Sequence, residues 1–135
     1  MKVRRAEPGD ADAIAALLGQ LGYPVEPDQC RRRLDRLPQS TSVFVTEELS
    51  GLAALDVRHV LQSDAPRAQI VALVVREDAR GRGIARALVG AIEEAARVSG
   101  AGRLVVISGH HRADAHAAYR ALGFADSGIR FYKEL

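Results

Sequence analysis

The chain has 135 residues, of which 47% are hydrophobic and 27% charged, and its net charge at pH 7 is +2. This length predicts a single domain, residues 1–135, with enough chain to bury an apolar core. The positive charge is too small to indicate a nucleic-acid partner.

The composition also limits the compartment and the metal chemistry. One cysteine, Cys30, excludes an internal disulfide and a zinc site built from several thiolates. No apolar run approaches the length that crosses a membrane, and no signal segment follows Met1. We therefore expect a cytoplasmic protein with no membrane partner.

Hydrophobic spacing and turn residues predict a mixture of strands and helices. In chain order these are a strand over 3–6, helices over 11–21 and 27–37, strands over 42–46, 52–61 and 68–75, a helix over 84–99, a strand over 104–107, a helix over 113–122 and a final strand over 129–134. Asp10 is expected to cap the first helix, and 62–66 to form a loop. The segment 68–107 predicts a right-handed crossover between parallel strands. The expected fold class is α/β, with a mixed sheet that is antiparallel at its start and parallel at its centre.

A glycine-bearing turn joins the strand over 68–75 to the helix that follows. It consists of Arg80, Gly81, Arg82, Gly83, Ile84 and Ala85. The first N–H groups of a helix have no intrahelical partner and can bind a phosphate, and glycine lets the backbone approach it closely. The turn is neither a dinucleotide fingerprint nor a P-loop. It therefore predicts a phosphorylated cofactor, although on these residues alone a solvated turn is an equal alternative.

Two motifs together resemble the GNAT N-acetyltransferase superfamily. The family's cofactor motif, Arg/Gln-x-x-Gly-x-Gly/Ala, is matched by Arg80, Gly83 and Ala85. Its later motif, Ala-x-x-x-Tyr-x-x-x-Gly-Phe, is matched by Ala115, Tyr119, Gly123 and Phe124. The resemblance covers nearly the whole chain and implies a mixed sheet with splayed parallel strands and about four flanking helices.

The same resemblance implies acetyl-CoA as cofactor and an amine as acceptor. The diphosphate would lie on the N–H groups from Gly81 to Ala85, and the pantetheine arm beside the backbone of Leu73, Val74 and Val75. Tyr119 would protonate the leaving sulfur, and an N–H group of Leu73 or Val74 would bind the oxyanion. The expected reaction is acetyl transfer to a primary amine of a small molecule or a protein. Many relatives are dimers, so Ile129, Phe131 and Tyr132 are candidates for a homodimer interface, with a place in the core as the alternative. An acyl-CoA sensor without turnover and a transferase of another acyl group are the alternatives.

The general base is where the chain departs from its relatives. Some members of the superfamily carry a glutamate where this chain has Gln69. An amide cannot accept a proton at neutral pH, so we expect water to carry the proton to another group. The candidates are Asp56, His59, Glu77, His110 and His111. His116 and Arg112 are further candidates for contact with a ligand, and no metal site is predicted.

Overall fold

The structure is a computed structural model that describes residues 1–107, 113–126, 128 and 131–135, with the backbone alone for 113–115. Its strands are β1 (Val3–Arg5), β2 (Thr41–Thr46), β3 (Gly51–Val60), β4 (Ser63–Val75) and β5 (Leu104–Val106). Its helices are α1 (Ala11–Leu21), α2 (Pro27–Asp35), α3 (Ile84–Val98) and α4 (Ala113–Ala121), with 3-10 turns at Pro8–Asp10 and Glu77–Ala79.

The strands form one sheet in the order β1-β2-β3-β4-β5. Neighbouring strands run antiparallel from β1 to β4, whereas β4 and β5 are parallel and are connected through α3. The α/β class and the parallel pairing of the two strands across the helix are thereby confirmed. The parallel pair lies at one side of the described sheet and not at its centre, because no described segment pairs with the far side of β5.

Apolar side chains pack on both faces of the sheet. The core on the α3 side includes Leu55, Ile70, Ile84, Leu88 and Ile92. The core on the α1 side includes Ile14, Leu17, Cys30, Leu52 and Val74. Successive residues of a strand point to opposite faces, so the neighbours Phe44 and Val45 enter different cores. The sheet is therefore covered by α3 on one face and by α1 and α2 on the other.

β4 contains a bulge at Val71. Two consecutive residues of β3 pair with Ile70 and Ala72, so Val71 has no residue opposite it in β3. One extra residue inverts the alternation of a strand. Ile70 therefore enters the α3-side core, whereas Val74 enters the α1-side core, although both positions are even-numbered. The sequence does not reveal this inversion. Both faces of β4 are covered, so its residues are apolar on both sides and show no alternation.

Three further sequence-based expectations are wrong. Residues 63–66 belong to β4 and not to a loop, because Ser63 already pairs with Val60 across a tight turn. Asp10 precedes α1 as predicted, but its side chain makes no cap hydrogen bond to that helix. Residues 131–134 of the predicted last strand lie outside any strand, and 129–130 fall outside the described residues. Phe131 and Tyr132 are 88% and 80% exposed, so this segment is packed on neither core.

Candidate active site

The turn before α3 has the geometry of an open anion site. Gly81 and Gly83 have φ values of 80° and 78°, the left-handed region that favours glycine. A Cβ at either position would meet no atom within 4 Å, so the space above this backbone is open. Gly83 is the N-cap of α3, and its carbonyl accepts the first helical bond from the N–H of Ala87 at 3.0 Å. The preceding N–H groups have no partner within the helix, and the first turn carries no acidic residue.

The arginines of this turn are exposed beside it. Within the described residues, Arg80 and Arg82 make long contacts with main-chain carbonyls, from Nε to Val75 at 3.5 Å and from Nη2 to Asp78 at 3.4 Å. The nearby carboxylate of Asp78 is paired with Arg76, whose hydrogen bond lowers the pKa of Asp78. Because Arg76 offsets this negative charge, the turn offers positive charge and open N–H groups to an anion.

The end of β4 is held in place from α1 and β3. The side-chain amide of Gln20 donates to the carbonyl of Val75 at 2.7 Å and accepts from the N–H of Glu77 at 3.0 Å. The N–H of Arg76 donates to the carbonyl of Ser50 at 2.7 Å. Gln20 was not among the residues picked out in the sequence, because a single glutamine on the exposed side of a helix carries no signal.

The part of β4 that is predicted to receive the pantetheine arm does not pair with β5. The pairing between the two strands ends at Ile70 opposite Val106, whereas β4 continues to Val75. Leu73 and Val75 are partly buried against the α3-side core, and Val74 is buried on the other side. In the described residues, the backbone from Val71 onward therefore pairs with β3 alone.

Tyr119 lies on α4, the helix that follows β5 in the chain. Its ring meets that of Phe124 edge-on, with centroids 6.0 Å apart and an interplanar angle of 67°. Phe124 packs against the α3-side core, and the guanidinium of Arg86 in α3 lies 3.5 Å from the carbonyl of Ala121. These contacts place the end of α4 beside α3.

The candidate proton acceptors fall in different places. Asp56 and Gln69 are direct cross-strand partners in β3 and β4 and are both half-buried. His59 is exposed near the other end of the hairpin, and Glu77 is exposed beyond the end of β4. The pair His110–His111 and Arg112 lie outside the described residues. His116 is partly buried on α4.

Cavities on the described surface include two that lie beside the sheet. One of about 190 Å³ lies between α2 and the strands β1 and β2, and its lining includes Glu7, Asp35 and Thr41. The other, of about 350 Å³, lies beside the end of β4, and its lining includes Gln20 and Arg76. Thr41, in the lining of the first cavity, is the cross-strand partner of Asp56, one of the candidate proton acceptors.

Other reactive groups contribute little in the described part of the chain. Cys30 is 2% exposed, and burial raises the pKa of its thiol, which opposes a role as nucleophile. The described residues contain no cluster of three or more His, Cys, Asp or Glu side chains that could hold a metal ion. No described helix has both the length and the apolar character needed to span a membrane.

Comparison with known proteins places this geometry in a family. The sequence matches the Acetyltransferase (GNAT) family over residues 12–124, and the chain belongs to that family. Its members use acetyl-CoA, so the chain is an acyltransferase enzyme with acetyl-CoA as cofactor. A search of curated proteins found no match.

Solved structures show the same fold at low sequence identity. A putative acetyltransferase from Agrobacterium tumefaciens is 23% identical, with a TM-score of 0.89 and full coverage of both chains. A transcriptional regulator from Bacillus halodurans is 24% identical, with a TM-score of 0.88 and 99% coverage of each chain. The aminoglycoside N-acetyltransferase AAC(6')-Iy, in complex with CoA, is 18% identical with a TM-score of 0.84, over 98% of this chain and 93% of its own.

Proposed function

We propose that the chain transfers the acetyl group of acetyl-CoA directly to a primary amine while both are bound. The observation that carries this proposal is the turn before α3, where Gly81 and Gly83 adopt positive φ below open space and the helix begins without an acidic residue. A diphosphate fits this site because main-chain N–H groups and the helix dipole both favour an anion there.

The residues that would hold the cofactor follow from the same geometry. The N–H groups of Gly81 to Ala85 would bind the diphosphate, with Arg80 and Arg82 adding positive charge. The backbone of Leu73, Val74 and Val75 would pair with the pantetheine arm, because β4 continues beyond its pairing with β5. When bound, acetyl-CoA supplies an activated acetyl thioester.

Two further tasks belong to the protein. An N–H group of Leu73 or Val74 would stabilise the negative charge that develops on the carbonyl oxygen. Tyr119 would donate its phenolic proton to the sulfur as the carbon–sulfur bond breaks. The packing of its ring on Phe124 supports this role, because that contact fixes the orientation of the phenol.

The acceptor is proposed to be a small molecule or protein that carries a primary ammonium group. The cavity beside α2 supports this choice, because the carboxylates of Glu7 and Asp35 line it, with Arg5 as the basic residue in the lining. Similar folds include an aminoglycoside N-acetyltransferase and a ribosomal-protein-alanine N-acetyltransferase, so both kinds of acceptor belong in the first panel.

Substitution of Tyr119 by phenylalanine tests the proposed chemistry. Release of free thiol from acetyl-CoA is followed with kanamycin, spermidine and a peptide with N-terminal alanine. We expect Tyr119→Phe to lower kcat by about 100-fold, the ordinary size of general acid catalysis, and to leave the affinity for CoA unchanged. Tyr23→Phe, at an exposed tyrosine after α1, is the matched control. An unchanged kcat in Tyr119→Phe would remove this residue as the acid.

The assembly and location of the chain are also proposals. A homodimer is supported by the exposure of Phe131 and Tyr132, which leaves two aromatic side chains available to a second copy. Light scattering at micromolar concentration measures this directly. A cytoplasmic location stays a prediction from the sequence.

A further inference from the structure

We propose that Asp56 is the group that finally accepts the proton of the acceptor ammonium, through water ordered by Gln69. This inference rests on the proposed acetyl transfer to an amine, since only an amine that has lost a proton can attack the thioester. Position 69 of β4 carries a glutamine, which cannot act as a base. The proposal therefore places the base on the neighbouring strand, β3.

The register of the sheet brings the two residues together. Asp56 of β3 pairs directly with Gln69 of β4. The neighbours of Gln69 in β4, Ala68 and Ile70, enter the α3-side core, and so does Leu55, the neighbour of Asp56 in β3. Alternation therefore directs both the carboxylate and the amide to the α1 side of the sheet. Opposite residues of an antiparallel pair have Cβ atoms about 5 Å apart, within reach of one bridging water.

A hydroxyl group on the adjacent strand positions the carboxylate. Thr41 pairs with Asp56 from β2, and its Oγ1 donates to Oδ1 of Asp56 at 3.4 Å. Within the described residues no cation pairs with this carboxylate. Asp56 is half-buried, and Thr41 binds its Oδ1. Its Oδ2 is therefore available to a water molecule on the side of Gln69.

The distance to the proposed reaction centre requires a short water chain. Leu73 pairs with Ala53, which lies three positions before Asp56 in β3, and this spacing corresponds to about 10 Å along the strand. About three water molecules span that distance, at about 2.8 Å for each hydrogen bond. Two cross-strand pairs intervene: Ala54 and Ala72 carry only methyl groups, and Leu55 and Ile70 enter the α3-side core. Val71, at the bulge between them, is 51% exposed.

Two other candidates are placed less favourably. His59 is exposed and lies another three positions along β3, about 10 Å further from the reaction centre than Asp56. Glu77 is exposed beyond the opposite end of β4, and its backbone is bound to Gln20. Among the candidates that the structure describes, Asp56 combines partial burial with direct pairing to Gln69.

The proton transfers balance as follows. Asp56 takes one proton from the ammonium through water, and the neutral nitrogen then forms the carbon–nitrogen bond. Tyr119 gives its proton to the departing sulfur as the carbon–sulfur bond breaks. The second proton lost by the nitrogen restores the phenol through water, and Asp56 releases its own proton to bulk solvent. The turnover yields an amide, a thiol and one free proton.

Asp56→Asn tests the assignment through its pH profile. With the best acceptor of the panel named above, kcat/KM at pH 7 should fall by about 100-fold. The remaining rate should depend on amine that is already neutral, so it should rise about tenfold per pH unit up to the pKa of the amine. Calorimetric affinity for CoA should equal that of the wild type. Asp64→Asn, at an exposed aspartate of β4, is the matched control and should behave as the wild type.

A double variant separates a proton acceptor from a merely structural residue. Asp56→Asn combined with Gln69→Glu moves the carboxylate to the opposite strand and should recover most of the lost activity at pH 7. A structural loss at Asp56 would not be repaired in this way. An Asp56→Asn variant as active as the wild type at every pH, or a double variant with no recovery, overturns the assignment while acetyl transfer stands. A wild type that releases no thiol with any acceptor overturns both.

Discussion

Asp10 shows how one side chain can organise the start of the chain. Its carboxylate accepts two hydrogen bonds from Arg4, at 2.8 and 3.0 Å, and a third from the N–H of Glu7 at 2.8 Å. The bond from Arg4 holds the pKa of Asp10 below its ordinary value, and the same pair raises the pKa of Arg4. The sequence indicated a helix cap, but the distant pairing with β1 was not visible because it depends on how the first turn folds back.

The ion pair of Asp10 predicts a pH-dependent stability. A depressed folded pKa means that the stabilisation is complete above the unfolded pKa, about 4, and is lost as the pH falls through the lower folded value. At pH 7, Asp10→Asn should lower the free energy of unfolding by about 2 kcal/mol in urea denaturation. This difference from the wild type should shrink as the pH is lowered from 5 toward 3. A constant difference across that range, or an equal loss in the exposed control Asp12→Asn, would contradict the role of the charge.

At the scale of elements, β4, the glycine turn and α3 form the unit that carries the cofactor site. The order of these elements was predictable because apolar runs, glycines and helical spacing are local signals. The bulge at Val71 and the bonds from Gln20 were not predictable, because they depend on the register with β3 and on the position of α1. The sequence thus indicated where the turn lies, and the neighbouring elements determine how it is held.

Gly51 of β3 packs so closely against α3 that a larger side chain at this position should destabilise the protein. A Cβ at Gly51 would lie 2.7 Å from Cγ2 of Ile84 and 2.9 Å from Cδ1 of Leu88. We expect Gly51→Ala to lower the free energy of unfolding by about 1–3 kcal/mol and to weaken CoA binding, because Ile84 is the first residue of α3. Denaturation and calorimetry measure the two effects. Gly90→Ala, in α3 with nothing near its Cβ, should leave both unchanged or raise stability slightly. Equal behaviour of the two variants would refute the packing argument.

At the scale of the whole molecule, the fold separates two regions along β4. Its last residues continue past the pairing with β5 toward the anion turn, whereas Gln69 lies on the paired part, opposite Asp56. The diphosphate end of the cofactor is thereby expected beyond the end of β4, and the acceptor is expected to approach from the side of Gln69 and to meet the thioester near Leu73. The family could be recognised from two motifs, but the acceptor could not, because its contacts come from surface segments that carry no shared pattern.

We expect main-chain N–H groups at the start of α3 to bind the diphosphate of coenzyme A. A crystal structure of the complex with CoA measures this most directly. Phosphate oxygens are expected within about 3 Å of backbone nitrogens between Gly81 and Ala85, with the pantetheine arm along Leu73–Val75. A diphosphate bound elsewhere, with this turn left in contact with solvent, would contradict it.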